Sequence, residues 1–175
     1  MKQLLLLRHA KAVTDRTGGD HGRALAPRGR RAAPLMGRAM RTRGLVPGRV
    51  LCSAATRTKE TWQLAEPELK AKPQVEFTEA IYLAPWAMIV KTVRETPDDV
   101  QTLLVIGHNP GIEDCAAALL NASAGGAELT RREAMAEKFP TGALAVLDCD
   151  IARWKDMAPG TAALADFLRP RDLED

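Results

Sequence analysis

Two histidines follow directly on apolar runs of the kind that forms buried β-strands. His9 comes after residues 4–7 with only Arg8 between them, and His108 comes after residues 102–107. In an open α/β sheet, ligands bind in the crevice outside the carboxyl ends of the strands. We therefore expect both imidazoles to lie at the same edge of one sheet.

Two arginines accompany these histidines in the predicted arrangement. Arg8 adjoins His9, and Arg57 follows a short strand at residues 49–52, where the next helix is predicted to begin. A guanidinium group is a planar, permanently charged fork that matches two phosphate oxygens at once. The first turn of a helix adds backbone N–H donors for an anion. The combination predicts a pocket for a phosphoryl group.

Phosphoryl transfer through a covalent intermediate suits such a pocket. A neutral imidazole nitrogen of His9 can attack phosphorus, which splits one difficult step into two easier ones. The imidazole of His108 can donate to the oxygens on which negative charge gathers. A zinc site built from the three histidines of the chain and Cys52 would match no known spacing of zinc ligands. No GxxxxGK(S/T) sequence of a P-loop enzyme occurs in the chain.

Three further charged residues are candidates at the same edge. Glu79 follows the third predicted strand and is the best placed carboxylate to protonate a leaving group, although a solvated loop carboxylate would fit its position equally well. Lys11 either reaches the phosphate as a point charge or faces solvent. Arg23 either binds an acidic part of the substrate or forms a local structural pair.

Apolar runs and stretches of helical periodicity alternate along the chain, which is typical of an α/β domain. Strands are predicted at residues 3–7, 49–52, 75–77, 102–106, 142–149 and 161–168. Helices are predicted at residues 26–44, 53–69, 86–94 and 111–120, with a loop and a short helix within residues 122–137. The last two strands would be added to a mostly parallel sheet.

Composition narrows the class of protein further. A chain of 175 residues can bury the core of one domain, which we expect to span residues 1–175. The basic residues between Arg28 and Arg43 have no interleaved aromatic residues, so a solvated helix face is expected rather than a nucleic-acid partner. Three distant cysteines fit unpaired buried thiols in a reducing compartment. Without an apolar stretch long enough for a signal peptide or a membrane span, we expect a cytoplasmic protein with no membrane contact.

The residues around His9 resemble a known signature. Arg8-His9-Ala10 resembles the Arg-His-Gly signature of the histidine phosphatase superfamily, which includes the phosphoglycerate mutases, and residues 4–11 are more similar to its SixA-type phosphohistidine phosphatases. Further stretches that match are residues 23–29, 53–61, 107–111, 140–143 and 169–173. The resemblance covers nearly the whole chain and implies a three-layer α/β/α sandwich. Ala10 replaces the glycine of the wider signature, a change that the SixA-type branch tolerates.

The resemblance also implies roles for individual residues. His9 would be transiently phosphorylated, with Arg8, Arg57 and His108 completing the phosphate pocket and with no metal or organic cofactor. Glu79 is similar to the acid of the mutases, yet SixA-type enzymes can manage without a strong acid. The leaving group of a phosphoramidate is an imidazole, which is readily protonated and needs less help.

We therefore predict a monomeric phosphatase that acts through phospho-His9 on phosphohistidine in a partner protein. The first alternative to this function keeps the same chemistry, but the substrate is a small phosphate ester. Short connections leave few residues for a lid, which favours an open pocket and a protein substrate and disfavours a mutase, whose phosphoenzyme must be shielded from water. The second alternative is a module that binds phosphate without turnover, although binding alone would not require a histidine at position 9.

Overall fold

The leucines near the start of the chain lie in the interior of a β-sheet and are buried on both of its faces. Leu5 and Leu7 belong to one apolar cluster, and Leu4 and Leu6 belong to a second one on the other side. This alternation follows from the strand geometry, in which successive side chains point to opposite faces. A continuous apolar run is therefore a strand with a helical layer on each side.

The structure is a computed structural model, and it describes residues 1–174. The strands are β1 (Lys2–Arg8), β2 (Arg49–Ser53), β3 (Gln74–Thr78), β4 (Thr102–Gly107), β5 (Leu144–Cys149) and β6 (Ala162–Leu168). The helices are α1 (Pro27–Thr42), α2 (Thr56–Leu69), α3 (Trp86–Val93), α4 (Gly111–Leu119) and α5 (Ala127–Glu137). Short 3₁₀ helices lie at Glu79–Ile81, Trp154–Asp156 and Pro170–Asp172.

The six strands form one sheet in the order β3-β2-β4-β1-β5-β6. Strands β3, β2, β4 and β1 are parallel, whereas β5 runs antiparallel to β1 and to β6. The predicted pair of added C-terminal strands is thus confirmed. Because β1 lies beside β4 and β4 lies beside β2, the ends of all three strands meet at one edge.

Two helical layers cover the sheet, as the three-layer prediction requires. Met36 and Trp62, from α1 and α2, pack in the same cluster as Leu5 and Leu7. Ile89 of α3, Ile112 of α4 and Met135 of α5 pack in the cluster on the other face. The sheet and its two layers therefore hold the ends of β1, β2 and β4 in fixed relative positions.

Two predicted helices differ from those in the structure. The second predicted helix starts at Thr56 and not at residue 53, because Ser53 still pairs with Thr78 in the sheet. Residues 127–137 form a complete helix, which is longer than the short helix predicted there. Its Glu128 carboxylate accepts a hydrogen bond from the backbone N–H of Leu164 in β6 at 2.9 Å, a tertiary contact that periodicity cannot reveal.

Candidate active site

His9 and His108 leave neighbouring strands at the same level. Arg8 and Gly107 are paired residues of β1 and β4, and the next backbone N–H, that of His9, donates to the Gly107 carbonyl at 3.1 Å. The centroids of the two imidazole rings lie 5.3 Å apart. The parallel register of two adjacent strands thus brings together two residues that are 99 positions apart.

The ring of His9 is held in one orientation. Its Nδ1 lies 2.8 Å from the Ala10 carbonyl oxygen, to which it donates. The Nε atom of Arg57 donates to Nε2 of His9 at 3.4 Å. Burial, and then the charges of Arg57 and Arg8, lower the pKa of His9 to about 4. The ring is therefore neutral near pH 7, with its proton on Nδ1 and its lone pair on Nε2, the form that a nucleophile needs.

Arg57 is held by a loop residue that the sequence reasoning did not select. Its side chain, 2% exposed, lies in the first turn of α2. Asp20 accepts hydrogen bonds from both terminal nitrogens of the guanidinium group. Its backbone carbonyl accepts from Nη1 at 2.8 Å, and its carboxylate accepts from Nη2 at 3.0 Å. The carboxylate also accepts from the Tyr82 hydroxyl and from Arg23. The Tyr82 hydrogen bond, followed by Arg57, holds the pKa of Asp20 well below its usual range, so Asp20 stays ionised.

His108 is oriented by the end of β2. Its Nε2 lies 2.7 Å from the hydroxyl oxygen of Ser53. Its Nδ1 is buried and has no hydrogen-bond partner within residues 1–174. Burial, then Arg57 and His9, lower the pKa of His108 to about 3. The ring is thus neutral and fixed beside His9, with one nitrogen that still lacks a partner.

Arg8 has a carbonyl partner but no carboxylate partner. Its Nη1 donates to the Phe139 carbonyl at 2.9 Å, whereas its buried Nε has no partner among the described residues. Within that part of the chain, no acidic side chain forms a salt bridge with Arg8. A partly desolvated cation of this kind gains from an anion in the pocket.

These groups line an open cavity of about 390 Å³ at the strand ends. Its basic lining residues are Arg8, Lys11, Arg16, Arg23 and Arg57. Asp20 is the one carboxylate that lines the cavity in the described part of the chain. The structure therefore brings together six of the seven predicted site residues around a positively charged space, which attracts an anion such as a phosphoryl dianion.

Glu79 lies outside this cavity. Its side chain is 67% exposed, and its carboxylate lies 2.9 Å from Nε2 of His21. The His21 ring packs edge-on against Tyr82, which in turn packs edge-on against His108. Glu79 is thus linked to the pocket histidine through two ring contacts, and it does not line the cavity.

The functional residues that could not be predicted from the sequence are those whose side chains hold the predicted site residues in position. Asp20 lies in the segment of residues 18–22, whose three glycines indicate a loop but no partner. A signal was present all the same, because a buried arginine requires a counterion. The chain offered no comparable signal for Ser53 or Tyr82.

Other features of residues 1–174 bear on the alternatives. No three His, Cys, Asp or Glu side chains come together there in a group that could hold a metal ion. No helix within these residues is both long and apolar enough to cross a membrane. The prediction of unpaired buried thiols is confirmed for Cys52, Cys115 and Cys149. Burial raises the pKa of each thiol to about 12, so none is a nucleophile near neutral pH.

Comparisons with known proteins agree with this geometry. Residues 4–82 match the sequence profile of the histidine phosphatase superfamily (branch 1). An uncharacterised protein of Mycobacterium tuberculosis is 39% identical over 165 residues, which cover 94% of this chain and 100% of that protein. Fold, site and sequence together define a member of the histidine phosphatase superfamily.

Solved structures place the chain more narrowly within the superfamily. A candidate phosphohistidine phosphatase SixA from Nakamurella multipartitia has a TM-score of 0.80 and 30% identity, covering 97% of this chain and 96% of its own. A corresponding protein from Agrobacterium tumefaciens has a TM-score of 0.79 and 28% identity, covering 97% and 98%. The chain belongs to the SixA-type branch and is a phosphatase of that fold.

Proposed function

We propose that this protein removes the phosphoryl group from phosphohistidine in a partner protein, through a covalent intermediate on Nε2 of His9. The names of its SixA neighbours support this substrate class. We further propose that residues 1–175 act as one catalytic domain that needs no metal ion.

The observation that carries the substrate class is that no protonated carboxylic acid lines the pocket within residues 1–174. Asp20 is the one carboxylate lining it among the described residues, and its pKa is held well below the usual range. Glu79 is exposed and bound to His21. An alcohol leaves a phosphate ester as a strongly basic alkoxide unless an acid protonates it. A substrate imidazole protonated on its other nitrogen leaves as a neutral molecule, so the pocket suits phosphohistidine.

In the first step, the lone pair on Nε2 of His9 attacks phosphorus, and the bond from phosphorus to the substrate nitrogen breaks. The electrons of that bond return to the substrate imidazole. The His9 ring becomes positively charged as the new bond forms, and the Ala10 carbonyl stabilises it by accepting a hydrogen bond from Nδ1. Arg57 and Arg8 balance the charge on the phosphoryl oxygens.

In the second step, water attacks the phosphorus of phospho-His9, and Nε2 leaves with its lone pair restored. Both protons of the water stay on the phosphate, so the products are dihydrogen phosphate and neutral His9. His108 supplies a hydrogen bond to the phosphoryl oxygens in both steps. The pocket is open, so water reaches the phosphoenzyme without a rearrangement, which supports hydrolysis rather than transfer to a second substrate.

A side-by-side turnover assay tests the proposal. A histidine-phosphorylated protein and a panel of alkyl and aryl phosphate esters are compared by phosphate release at equal concentrations. We expect kcat/KM for the phosphoprotein to exceed that for every alkyl ester. Faster release from a small ester would favour the monoesterase alternative, and tight phosphate binding without any release would favour a binding module.

A further inference from the structure

A second cleft opens beside the phosphoryl pocket, and the two share Lys11 and Thr141 in their linings. Its cavity is about 250 Å³. Its charged lining residues are Lys11, Arg28, Arg169, Arg171 and Glu174, and we call it the basic cleft. It lies outside the set of residues that handle the phosphoryl group in the mechanism above.

Most of the positive charge of the basic cleft is not neutralised. Lys11, Arg28 and Arg171 form no ion pair within residues 1–174. Arg169 differs, because its Nε donates to the Asp172 carboxylate at 2.9 Å. Glu174 adds one opposing charge. The balance remains positive, so the cleft favours an anion.

One wall of the cleft is fixed to Lys11, two residues after His9. The Lys11 carbonyl accepts from the backbone N–H of Ala26 at 2.8 Å. A Cβ at Gly29 would lie 2.1 Å from the same carbonyl oxygen, so the first turn of α1 packs directly on the Lys11 backbone. This contact holds Arg28 and Lys11 at a constant separation from the nucleophile.

The opposite wall is fixed as closely. Gly142 has a φ of +78°, and a Cβ there would lie 2.9 Å from Cγ of Pro170 and 3.9 Å from Cα of Ala10. The 3₁₀ helix Pro170–Asp172 therefore packs against Gly142, whose backbone N–H donates to the His9 carbonyl at 2.9 Å. The basic cleft is built in advance, and a ligand would bind without the cost of ordering its walls.

We propose that the basic cleft binds an acidic side chain of the substrate protein, close to its phosphohistidine; this rests on the proposed function. Because the cleft and the phosphoryl pocket share two residues, one substrate can fill both. Ala32, Pro140 and Pro170 supply apolar surface for the methylene stem of aspartate or glutamate. The Glu174 carboxylate opposes a phosphate dianion more strongly than a carboxylate, which favours an acidic side chain over a second phosphate group.

The experiment compares three phosphohistidine substrates with one doubly phosphorylated small ester. The three are a phosphohistidine peptide with aspartates on both sides, the same peptide with serines, and free phosphohistidine. The variants are Arg28→Ala, Arg171→Ala and their combination. Arg31→Ala is the matched control, because Arg31 is an exposed arginine of α1 that neither lines the cleft nor forms an ion pair within residues 1–174.

We expect the wild-type protein to prefer the aspartate peptide by about fivefold in kcat/KM, mainly through KM. Each cleft variant should lose most of that preference, and Arg31→Ala should keep it. Added salt should weaken the preference, since exposed charges are screened.

Three outcomes would overturn the proposal. These are equal turnover of both peptides by the wild type, an equal loss on all three substrates in the cleft variants, and a stronger preference for a doubly phosphorylated small ester. Failure of the proposed function looks different: no phosphohistidine substrate would then be turned over, whatever its flanking residues.

Discussion

Asp20 and Arg57 form a salt bridge of 3.0 Å beside the ring of His9. One partner comes from the loop after β1 and the other from the first turn of α2. The arginine is almost fully buried, so the aspartate is its main neutralising charge when no phosphate is bound. The loop residue thus positions the guanidinium group that faces the nucleophile.

Replacing Asp20 by Asn should loosen Arg57 and leave its charge without a counterion. We expect the free energy of unfolding to be about 1–3 kcal/mol lower than in the wild type and kcat to be about tenfold lower. Denaturant unfolding and steady-state turnover measure the two effects. Tyr82→Phe, which removes one hydrogen bond to Asp20 and keeps the salt bridge, is the matched control and should show the smaller change. Inorganic phosphate should restore part of the lost stability in Asp20→Asn; no effect of the substitution on stability or turnover would show that Arg57 needs no such support.

The predictable parts of this protein are those that its backbone pattern determines. Apolar runs identify β1 and β4, and the rule that ligands bind at strand ends then places His9 and His108 together. Asp20 could not be placed, because its loop conformation depends on contacts with Arg57 and Tyr82 that are distant in sequence.

The direction of the Glu79 side chain could not be predicted from the sequence either. Glu79 starts a 3₁₀ helix whose last residue, Ile81, is buried in the core. Anchoring Ile81 turns Glu79 toward solvent, where it meets His21. Sequence position gave the correct edge of the sheet, but the packing of its neighbour decided where the carboxylate points.

Replacing His9 by Ala should abolish catalysis, because it removes the Nε2 lone pair that lies beside Arg57 and attacks phosphorus in the proposed mechanism. We expect turnover to fall by about 10³-fold or more and the phosphoenzyme to disappear. Acid-labile labelling after brief exposure to a phosphorylated substrate detects the intermediate. His21→Ala, an exposed histidine outside the pocket lining, should still form it. Retained turnover in His9→Ala would refute the covalent mechanism.

Glu79→Gln should have little effect with either kind of leaving group. With phosphohistidine, we expect kcat to change by less than about twofold, because the leaving imidazole needs no external acid. With an alkyl phosphate ester we expect an equally small change, because the Glu79 carboxylate is exposed, lies outside the pocket lining and is held by His21. Glu76→Gln is the control, since Glu76 is also exposed and also forms an exposed ion pair, with Arg49 at 2.9 Å. A loss with the alkyl ester alone would show that Glu79 protonates a leaving alcohol, and it would contradict the argument that the pocket lacks an acid.

Chelation should leave the activity intact. The pocket supplies its positive charge through five basic side chains, so phosphoryl charge is balanced without a cation. We expect phosphate release to be unchanged after incubation with EDTA, while a zinc-dependent phosphatase treated in parallel loses activity. Loss of activity that a divalent ion restores would point instead to a metal site.

The two pocket histidines should make the fold sensitive to mild acid. Their pKa values are lowered to about 4 and about 3, whereas both are near 6.5 in the unfolded chain. The unfolded state therefore binds more protons below pH 6.5, and stability falls as the pH drops from there through the folded pKa values. Each histidine contributes up to about 1.4 kcal/mol per pH unit in this range. Urea unfolding at pH 6.5 and 4.5 measures the slope, and His108→Gln should show a shallower one, because glutamine can hydrogen-bond to Ser53 and does not titrate. Identical slopes in the two proteins would mean that His108 is not held neutral by its burial in the pocket.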